Sequence, residues 1–229
     1  MVFCGFQKLT LLDFPGRVAC TVFTGGCNFR CPFCHNALLV EGGAGGERIP
    51  AAEVLAYLEK RRGILDGICV TGGEPLLSAG LPDFLREVRV RGFAVKLDTN
   101  GSFPDRLAAL IDEGLLDYVA MDIKNCIEKY ALTAACSAEE VDRVEKSIDL
   151  LLSGAVDYEF RTTVVHPLHT VEDIRALAHR IRGARRYFLQ EFRDSGSLLG
   201  EGMKPISPDI MAQMRTAAAT FVPSAALRG

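Results

Sequence analysis

The chain has 229 residues, 48% of them hydrophobic, and its 26 basic and 29 acidic residues give a net charge of -3. This length and apolar content suffice for one domain with a sizeable core. The nearly balanced charge argues against nucleic acid as a partner, and no apolar run approaches the length of a membrane span. Residues 1–8 lack a basic segment followed by an apolar core, so no signal peptide is expected and the cytoplasm is the expected location.

Strands and helices are predicted to alternate along most of the chain. Apolar, β-branched runs predict six strands, and apolar residues at helical spacing predict the helices between them. The predicted strands are Val18–Phe23, Gly67–Val70, Phe93–Leu97, Tyr118–Ile123, Tyr158–Val165 and Tyr187–Gln190. The predicted helices are Pro50–Arg62, Leu81–Arg91, Pro104–Glu113, Ser137–Leu152, Val171–Ile181 and Ser207–Phe221.

This alternation predicts parallel βαβ units with right-handed crossovers. A full eight-unit barrel needs about 250 residues, whereas six units and a long loop fit this chain. The predicted fold is therefore α/β, an open, partial (β/α)6 TIM-like barrel with helices outside a parallel sheet. One domain, 1–229, is expected, with an entry segment at 1–17 that forms a short strand or turn, a (β/α)6 core at 18–193, and a C-terminal loop and helix at 194–229.

Three cysteines lie close together after the first predicted strand. Cys27, Cys31 and Cys34 have the spacing Cys-x3-Cys-x2-Cys. Four-iron clusters that only transfer electrons usually have four cysteine ligands, so three would leave one iron open for chemistry. The alternatives are a zinc knuckle, a disulfide cluster or a chance grouping. Zinc would need a fourth ligand, and His35 is poorly spaced for that because it is adjacent to Cys34.

The cysteine spacing is similar to the signature of the radical S-adenosylmethionine (radical SAM) superfamily. The aromatic Phe33 and the pair His35-Asn36 make the loop resemble the activating enzymes of glycyl-radical enzymes. The resemblance implies one [4Fe–4S] cluster on the three cysteines and SAM bound at the open iron. It also implies that Phe33 and His35 are cofactor-binding residues.

Polar or glycine residues follow the predicted strands. The carboxyl ends of parallel strands form one edge of a sheet, where α/β proteins place their sites. Residues 71–76 resemble the Gly-Gly-Glu-Pro motif that binds the SAM amino group, and glycine lets backbone approach a ligand. The candidate cofactor-binding residues at the strand ends are Gly72, Gly73, Glu74, Asp98, Thr99, Asp122, Lys124, Arg161 and Gln190.

Several of these side chains carry charge or hard oxygen ligands. Asp98, Thr99 and Asp122 supply oxygens suited to a hard cation, and the resemblance implies a monovalent cation beside SAM. Lys124 can pair with a carboxylate of the cofactor. Arg161 lies in an apolar strand, where an unpaired charge is costly, so it needs an anionic partner.

The resemblance extends to the anaerobic ribonucleoside-triphosphate reductase activating proteins and, at residues 98–101 and around Arg161, to pyruvate formate-lyase activating enzyme. It rests on Gly5–Gly16, Cys27–Asn36, Thr71–Leu76, Asp98–Gly101 and Asp122–Lys124. It implies reductive cleavage of SAM to a 5′-deoxyadenosyl radical that abstracts hydrogen from a glycine of a partner enzyme, which would be anaerobic ribonucleotide reductase. The resemblance also implies a flavodoxin- or ferredoxin-type electron donor. It implies no catalytic residue beyond the cluster and SAM.

Two other functions remain open. One is a radical SAM enzyme acting on a small molecule, such as a deazapurine precursor in modified-nucleoside synthesis, and the other is a non-catalytic metal-binding module. The glycine-rich segment Glu41–Gly46 is interpreted either as a loop that closes over a cofactor or partner, or as a linker. Buried strand positions are predicted for Cys20 and Cys69. The sequence assigns no role to Cys4, Cys126, Cys136 and His166.

Overall fold

The structure, a computed structural model, describes residues 1–35, 37–40, 48–194, 196 and 198–228. Asn36 and the glycine-rich segment Glu41–Gly46, with its expected closing or linking role, lie outside the described residues. The chain divides into two compact units, and strand β7 (Tyr118–Asp122) begins in the first and ends in the second. A single domain over 1–229 stays a prediction.

The first unit comprises Met1–Asn28, Leu38–Thr99 and Asp105–Val119. Its strands before β7 are β1 (Val2–Phe3), β2 (Gly5–Thr10), β3 (Ala19–Thr24), β4 (Ile49–Pro50), β5 (Gly67–Gly72) and β6 (Ala94–Thr99). The helices in this part of the chain are α1 (Ala37–Val40), α2 (Ala51–Lys60), α3 (Leu81–Val90), α4 (Pro104–Asp112) and the 3-10 turn Pro75–Leu77.

Strands β3, β5 and β6 are parallel neighbours in that order, and β2 pairs antiparallel with β3. A short strand or a turn was predicted for the entry segment, and the structure shows a strand there. The start of β7 continues the pairing, because the Asp117 N–H donates to the Val95 carbonyl at 2.9 Å. Strands β3, β5 and β6 are almost wholly buried, which explains their near-continuous apolar sequence.

The second unit comprises Phe29–Ala37, Asn100–Pro104 and Ala120–Gly229. Its elements after β7 are α5 (Ile127–Ala134), α6 (Ala138–Leu152), β8 (Asp157–Val164), α7 (Val171–Arg180), β9 (Tyr187–Glu191), α8 (Pro208–Ala219) and β10 (Ala226–Arg228). Strands β8 and β9 are parallel, as are β9 and β10. The end of β7 joins this pairing, because the N–H of Ile123 donates to the Arg161 carbonyl at 2.8 Å.

All six predicted strands and six predicted helices are present, and each end lies within two residues of its predicted position. Helix α6 begins with a capping box, which is the arrangement that the sequence Ser137-x-x-Glu140 favours. The Ser137 hydroxyl accepts the Glu140 N–H at 3.3 Å, and the Glu140 carboxylate accepts the Ser137 N–H at 2.9 Å. The α/β class with parallel strands and intervening helices is thus confirmed. In the described part of the chain, no helix is both long and apolar enough to cross a membrane.

Helix α5 has no counterpart among the predicted elements. It begins after Cys126, whose side chain makes no capping hydrogen bond, and ends at Ala135, which adopts a left-handed conformation with φ of 48°. Helices usually begin at Ser, Thr, Asp or Asn and often end at Gly. Because α5 has neither signal, sequence patterns overlooked it.

Candidate functional site

Helix α5 positions the part of the cysteine loop that lies in the second unit. The N–H of Arg30 donates to the Ala134 carbonyl at 3.0 Å, and the Cys31 thiol lies 3.8 Å from the same oxygen. Phe29 is 2% exposed, and its ring packs edge-on against Tyr130, with centroids 6.4 Å apart. The C-terminal end of a helix has carbonyls without intrahelical partners, so it can accept hydrogen bonds from a neighbouring loop.

Two further backbone hydrogen bonds shape this loop. The N–H of Cys34 donates to the Cys31 carbonyl at 3.1 Å, and the N–H of Gly200 donates to the Pro32 carbonyl at 2.9 Å. Cys31 is buried and Cys34 is half-buried. Backbone hydrogen bonds therefore help to hold this loop.

The chemistry of the donors fits an iron–sulfur cluster. None of the eight cysteines, all of them among the described residues, forms a disulfide, and the three loop thiols, of which Cys27 lies in the first unit, are of the soft type that iron–sulfur clusters require. Among the residues that the structure describes, no three His, Cys, Asp or Glu side chains are grouped as a metal site. The cluster assignment accordingly depends on the chemistry of the thiols and on their spacing in the sequence.

Two aromatic contacts fix the ring positions of the predicted cofactor-binding residues in the loop. Phe33 is 4% exposed and meets the His169 ring edge-on, with centroids 6.2 Å apart. The His35 ring lies 5.4 Å from that of Phe192. Burial lowers the pKa of His35, although the Asp194 carboxylate acts in the opposite direction. The contact of His35 with a cofactor stays a prediction.

The Gly72–Gly73 pair is required by a close backbone approach in the first unit. Gly72 has a φ of +117°, and a Cβ there would overlap the backbone of Thr24. A Cβ on Gly73 would overlap the carbonyl of Gly26, just before the first cysteine. The Gly73 N–H donates to the Thr24 carbonyl at 2.9 Å. These glycines therefore hold the end of β5 against the end of β3, a role that the sequence pattern did not indicate.

We expect Gly73→Ala to destabilise the fold by about 1–3 kcal/mol, because the new methyl group forces apart two backbones that are already in contact. The matched control is Gly80→Ala, where a Cβ would meet the nearest atom at an ordinary 3.4 Å. Urea unfolding at pH 7 measures both variants. Equal midpoints for the two variants would contradict the close-approach argument.

Glu74 and Thr99 meet inside the first unit. Glu74 is 1% exposed, and its Oε1 accepts hydrogen bonds from the Thr99 hydroxyl at 2.9 Å and the Leu76 N–H at 3.0 Å. Arg106, which sequence reasoning missed, donates to the carbonyl of Leu76 at 2.5 Å and to that of Leu77 at 3.3 Å. Glu74 thus ties the turn after β5 to the end of β6.

Asp98 is paired with a lysine on its own strand. Lys96 is 1% exposed, and its ammonium forms an ion pair with Asp98 Oδ1. The Cys69 thiol lies 3.7 Å from the same oxygen and 3.8 Å from the Lys96 Nζ. Cys20 and Cys69 are both fully buried, as predicted, but Cys69 also contacts a charged pair.

Asp122 is the anionic partner that Arg161 was expected to need. In the second unit, Arg161 Nε donates to Asp122 Oδ1 at 2.8 Å, and Lys124 Nζ lies 3.3 Å from Asp122 Oδ2. Burial would raise the pKa of Asp122, but the Arg161 and Lys124 cations more than offset it and hold that pKa well below its usual range. Asp122 is therefore a carboxylate held between two cations.

Gln190, His166 and His169 all belong to the second unit. Gln190 is half-buried on β9, opposite Thr163 of β8. The backbone of His166 exchanges two hydrogen bonds with that of Lys204, at 2.9 and 3.0 Å, which gives this histidine a structural position. His169, not among the predicted site residues, is buried, and its Nε2 lies 2.8 Å from the Lys124 carbonyl.

The comparisons with known proteins agree on one superfamily. Residues 21–181 match the model of the Radical SAM superfamily. A Methanocaldococcus jannaschii protein, provisionally named a glycyl-radical enzyme activating enzyme, is 33% identical over 82% of this chain and 78% of its own. Pyruvate formate-lyase-activating enzyme of Clostridium pasteurianum is 28% identical over 78% of this chain and 75% of its own. A 7-carboxy-7-deazaguanine synthase of Methanothermobacter thermautotrophicus is 30% identical over 79% of this chain and 73% of its own.

Solved structures share the fold at low identity. Streptococcus suis SuiB, bound to its precursor peptide SuiA, superposes with a TM-score of 0.72 at 13% identity. The match covers 91% of this chain and 48% of SuiB. This likeness concerns the fold alone and is consistent with the expected partial barrel. The family model spans well over half of the chain, and a relative matched over 78% of its length is 33% identical, so this chain belongs to the radical SAM superfamily, whose enzymes use a [4Fe–4S] cluster and SAM.

Proposed function

We propose that this chain activates a glycyl-radical enzyme. The observation that carries the proposal is the 33% identity, over 82% of this chain, to a protein provisionally named for that activity. The similarity to pyruvate formate-lyase-activating enzyme supports the same class. The partner would be a large enzyme that presents a glycine-bearing loop to this chain.

Cys27, Cys31 and Cys34 would hold the cluster, since they are thiols with the three-cysteine spacing. When bound, the reduced cluster and SAM supply a 5′-deoxyadenosyl radical that takes a hydrogen atom from the substrate. The residues of this chain would bind SAM and orient it. Gly72, Gly73 and Glu74 would receive the amino group of SAM, and Glu74 is fixed for this by its hydrogen bonds to the ends of β5 and β6.

The other candidate cofactor-binding residues include several of the second unit. Arg161 and Lys124 hold the Asp122 carboxylate in one orientation, which suits hydrogen bonding to a ribose or an ammonium group. Phe33, His35 and Gln190 would complete the cofactor contacts. No side chain is assigned as an acid or base, because hydrogen-atom transfer needs none.

The finer assignments are part of the same proposal. Anaerobic ribonucleotide reductase is the proposed partner, because the resembling stretches run from Gly5–Gly16 to Asp122–Lys124. A flavodoxin- or ferredoxin-type protein would be the electron donor. The cytoplasm stays the expected location, since cysteine thiols persist where they are kept reduced. The monovalent cation that the resemblance implies beside Asp98, Thr99 and Asp122 is not required by this proposal.

The direct test is anaerobic reconstitution followed by mixing with the partner. We expect about four irons per chain, 5′-deoxyadenosine after reduction, and a glycyl radical on the reductase detected by electron spin resonance. A reductase variant with its radical glycine replaced by alanine is the control for the radical signal. SAM cleavage without any protein radical, with every candidate glycyl-radical enzyme tried, would contradict the proposal.

One alternative has a specific observation in its favour. The 7-carboxy-7-deazaguanine synthase relative is 30% identical over 79% of this chain, nearly the same coverage as the activating enzymes. In that case the substrate would be a small deazapurine precursor. SAM cleavage that rises on addition of such a precursor, with formation of a deazaguanine product, would favour the alternative. Stoichiometric zinc and no SAM cleavage would favour a non-catalytic metal-binding module instead.

A further inference from the structure

The ion pair between Lys96 and Asp98 occupies a position where a metal cation was expected. Both residues lie on β6, two positions apart, so their side chains share one face of the strand. The register of the sheet places Cys69 of β5 beside Lys96. The ammonium is thus enclosed by a carboxylate and a thiol, and the lysine side chain is only 2% exposed.

We propose that Lys96 is a built-in substitute for the metal cation, so that this chain binds SAM without an alkali metal ion at Asp98. The inference rests on the proposed function, because it concerns the same SAM site. Lys96 is a positioning residue: it holds the charge and the orientation of Asp98, which is the residue expected to face the cofactor.

The electrostatics favour one cation at this carboxylate and disfavour two. An ammonium group is a compact point charge, and it satisfies a carboxylate oxygen as an alkali ion would. A second positive charge on the same carboxylate would lie within a few ångströms of the first, in surroundings that screen charge poorly. Lys96 cannot withdraw to make room, because its buried ammonium would lose its counter-charge.

Asp122, the other carboxylate expected to bind the cation, also has positively charged side chains beside it. Within the second unit, Asp122 accepts a hydrogen bond from Arg161 and contacts the ammonium of Lys124. Both carboxylates predicted to hold a cation therefore have protein cations as partners in their own units. The third expected ligand, Thr99, donates its hydroxyl hydrogen to Glu74.

Anomalous diffraction with rubidium tests the proposal without relying on activity. Crystals of the full chain soaked in RbCl should show no anomalous peak beside Asp98 in the wild type. Crystals of Lys96→Met, which removes the ammonium while keeping an unbranched side chain one atom shorter, should gain one. A rubidium peak on Asp98 in the wild type overturns the proposal, and this arm needs no variant to fold.

SAM affinity in different salts gives the second readout. For the reconstituted wild type, the Kd for SAM should change by less than about twofold between KCl and choline chloride. For Lys96→Met, affinity in choline should fall at least about tenfold and recover on addition of KCl. Lys129→Met is the matched control, because Lys129 also pairs with an aspartate, Asp173, at 2.7 Å, and it should show no potassium dependence.

The possible outcomes separate this inference from the proposed function. A wild type that needs potassium for SAM binding, or a Lys96→Met chain that binds SAM equally well in both salts, overturns the role given to Lys96. A wild type that binds SAM independently of potassium but never forms a protein radical supports the Lys96 inference and removes the activating function.

Discussion

Replacing any one of Cys27, Cys31 and Cys34 by alanine is expected to reduce bound iron and SAM cleavage to background. Three cysteines supply one ligand to each of three irons, so the loss of one leaves two open irons and no spare thiol in the loop. The backbone hydrogen bonds of Arg30 and Gly200 that hold the loop do not involve these thiols, so the fold should survive. Iron and sulfide per chain after anaerobic reconstitution, and 5′-deoxyadenosine after reduction, measure the effect.

Cys20→Ala is the matched control for this prediction. Cys20 is fully buried in β3, and burial raises the pKa of its thiol to about 12, so it stays protonated and inert. Its replacement removes a small buried group and should lower the unfolding free energy by about 1 kcal/mol while iron loading stays normal. Normal loading of about four irons in any of the three loop variants would contradict the assignment of the cluster.

Arg161→Leu is expected to cause a clear loss of stability. It leaves Asp122 with only Lys124 as a counter-charge, in surroundings where the side chain of Asp122 is 33% exposed. Breaking a fully buried pair costs about 3–5 kcal/mol, and the partial exposure of Asp122 reduces this to about 2 kcal/mol. Urea unfolding at pH 7 measures the change.

The pH dependence of that loss identifies its cause. The pKa of Asp122 is lowered in the folded chain, so its stabilising contribution is fully present above its unfolded pKa of about 4. The contribution is lost as pH falls towards the folded pKa. The gap between wild type and Arg161→Leu should therefore be constant from pH 5 to 7 and shrink below about pH 4.

Arg62→Leu serves as the control for loss of an exposed pair. Arg62 and Glu59 form an ion pair whose side chains are 57% and 53% exposed, so breaking it should cost at most about 1 kcal/mol. If Arg161→Leu is no more costly than Arg62→Leu, or if its effect does not change in acid, the Asp122 cluster does not stabilise the chain in this way.

The strands and helices were predictable because their apolar periodicity is strong. The parallel strands are nearly continuous apolar runs. The pair Ser137 and Glu140 predicts the start of α6, because a capping box involves only residues that are close in sequence. Helix α5 was not predictable, because its ends carry no capping signal. That omission matters for the site, since Ala134 at the end of α5 holds the cysteine loop.

The types of residue at the site could be read from the sequence, but their partners could not. The sequence shows that a carboxylate residue lies at the end of a predicted strand. The cation that pairs with this carboxylate depends on the register of the sheet and on which strands become neighbours. Arg161 was expected to need an anion, yet only the pairing of β7 with β8 identifies Asp122. Lys96 was passed over because it lies within an apolar strand, and the contact of Cys69 with Asp98 requires the register of β5 and β6. Arg106 acts on backbone carbonyls, which no sequence pattern displays.

The hydrogen bonds that hold the cysteine loop bear on how this chain binds iron. Small zinc domains are unfolded until metal arrives, because metal binding provides their folding energy. Here two backbone hydrogen bonds hold part of the loop, from the Arg30 N–H to the Ala134 carbonyl and from the Gly200 N–H to the Pro32 carbonyl, and neither involves a thiol. Iron binding is therefore not expected to be the source of this chain's folding energy.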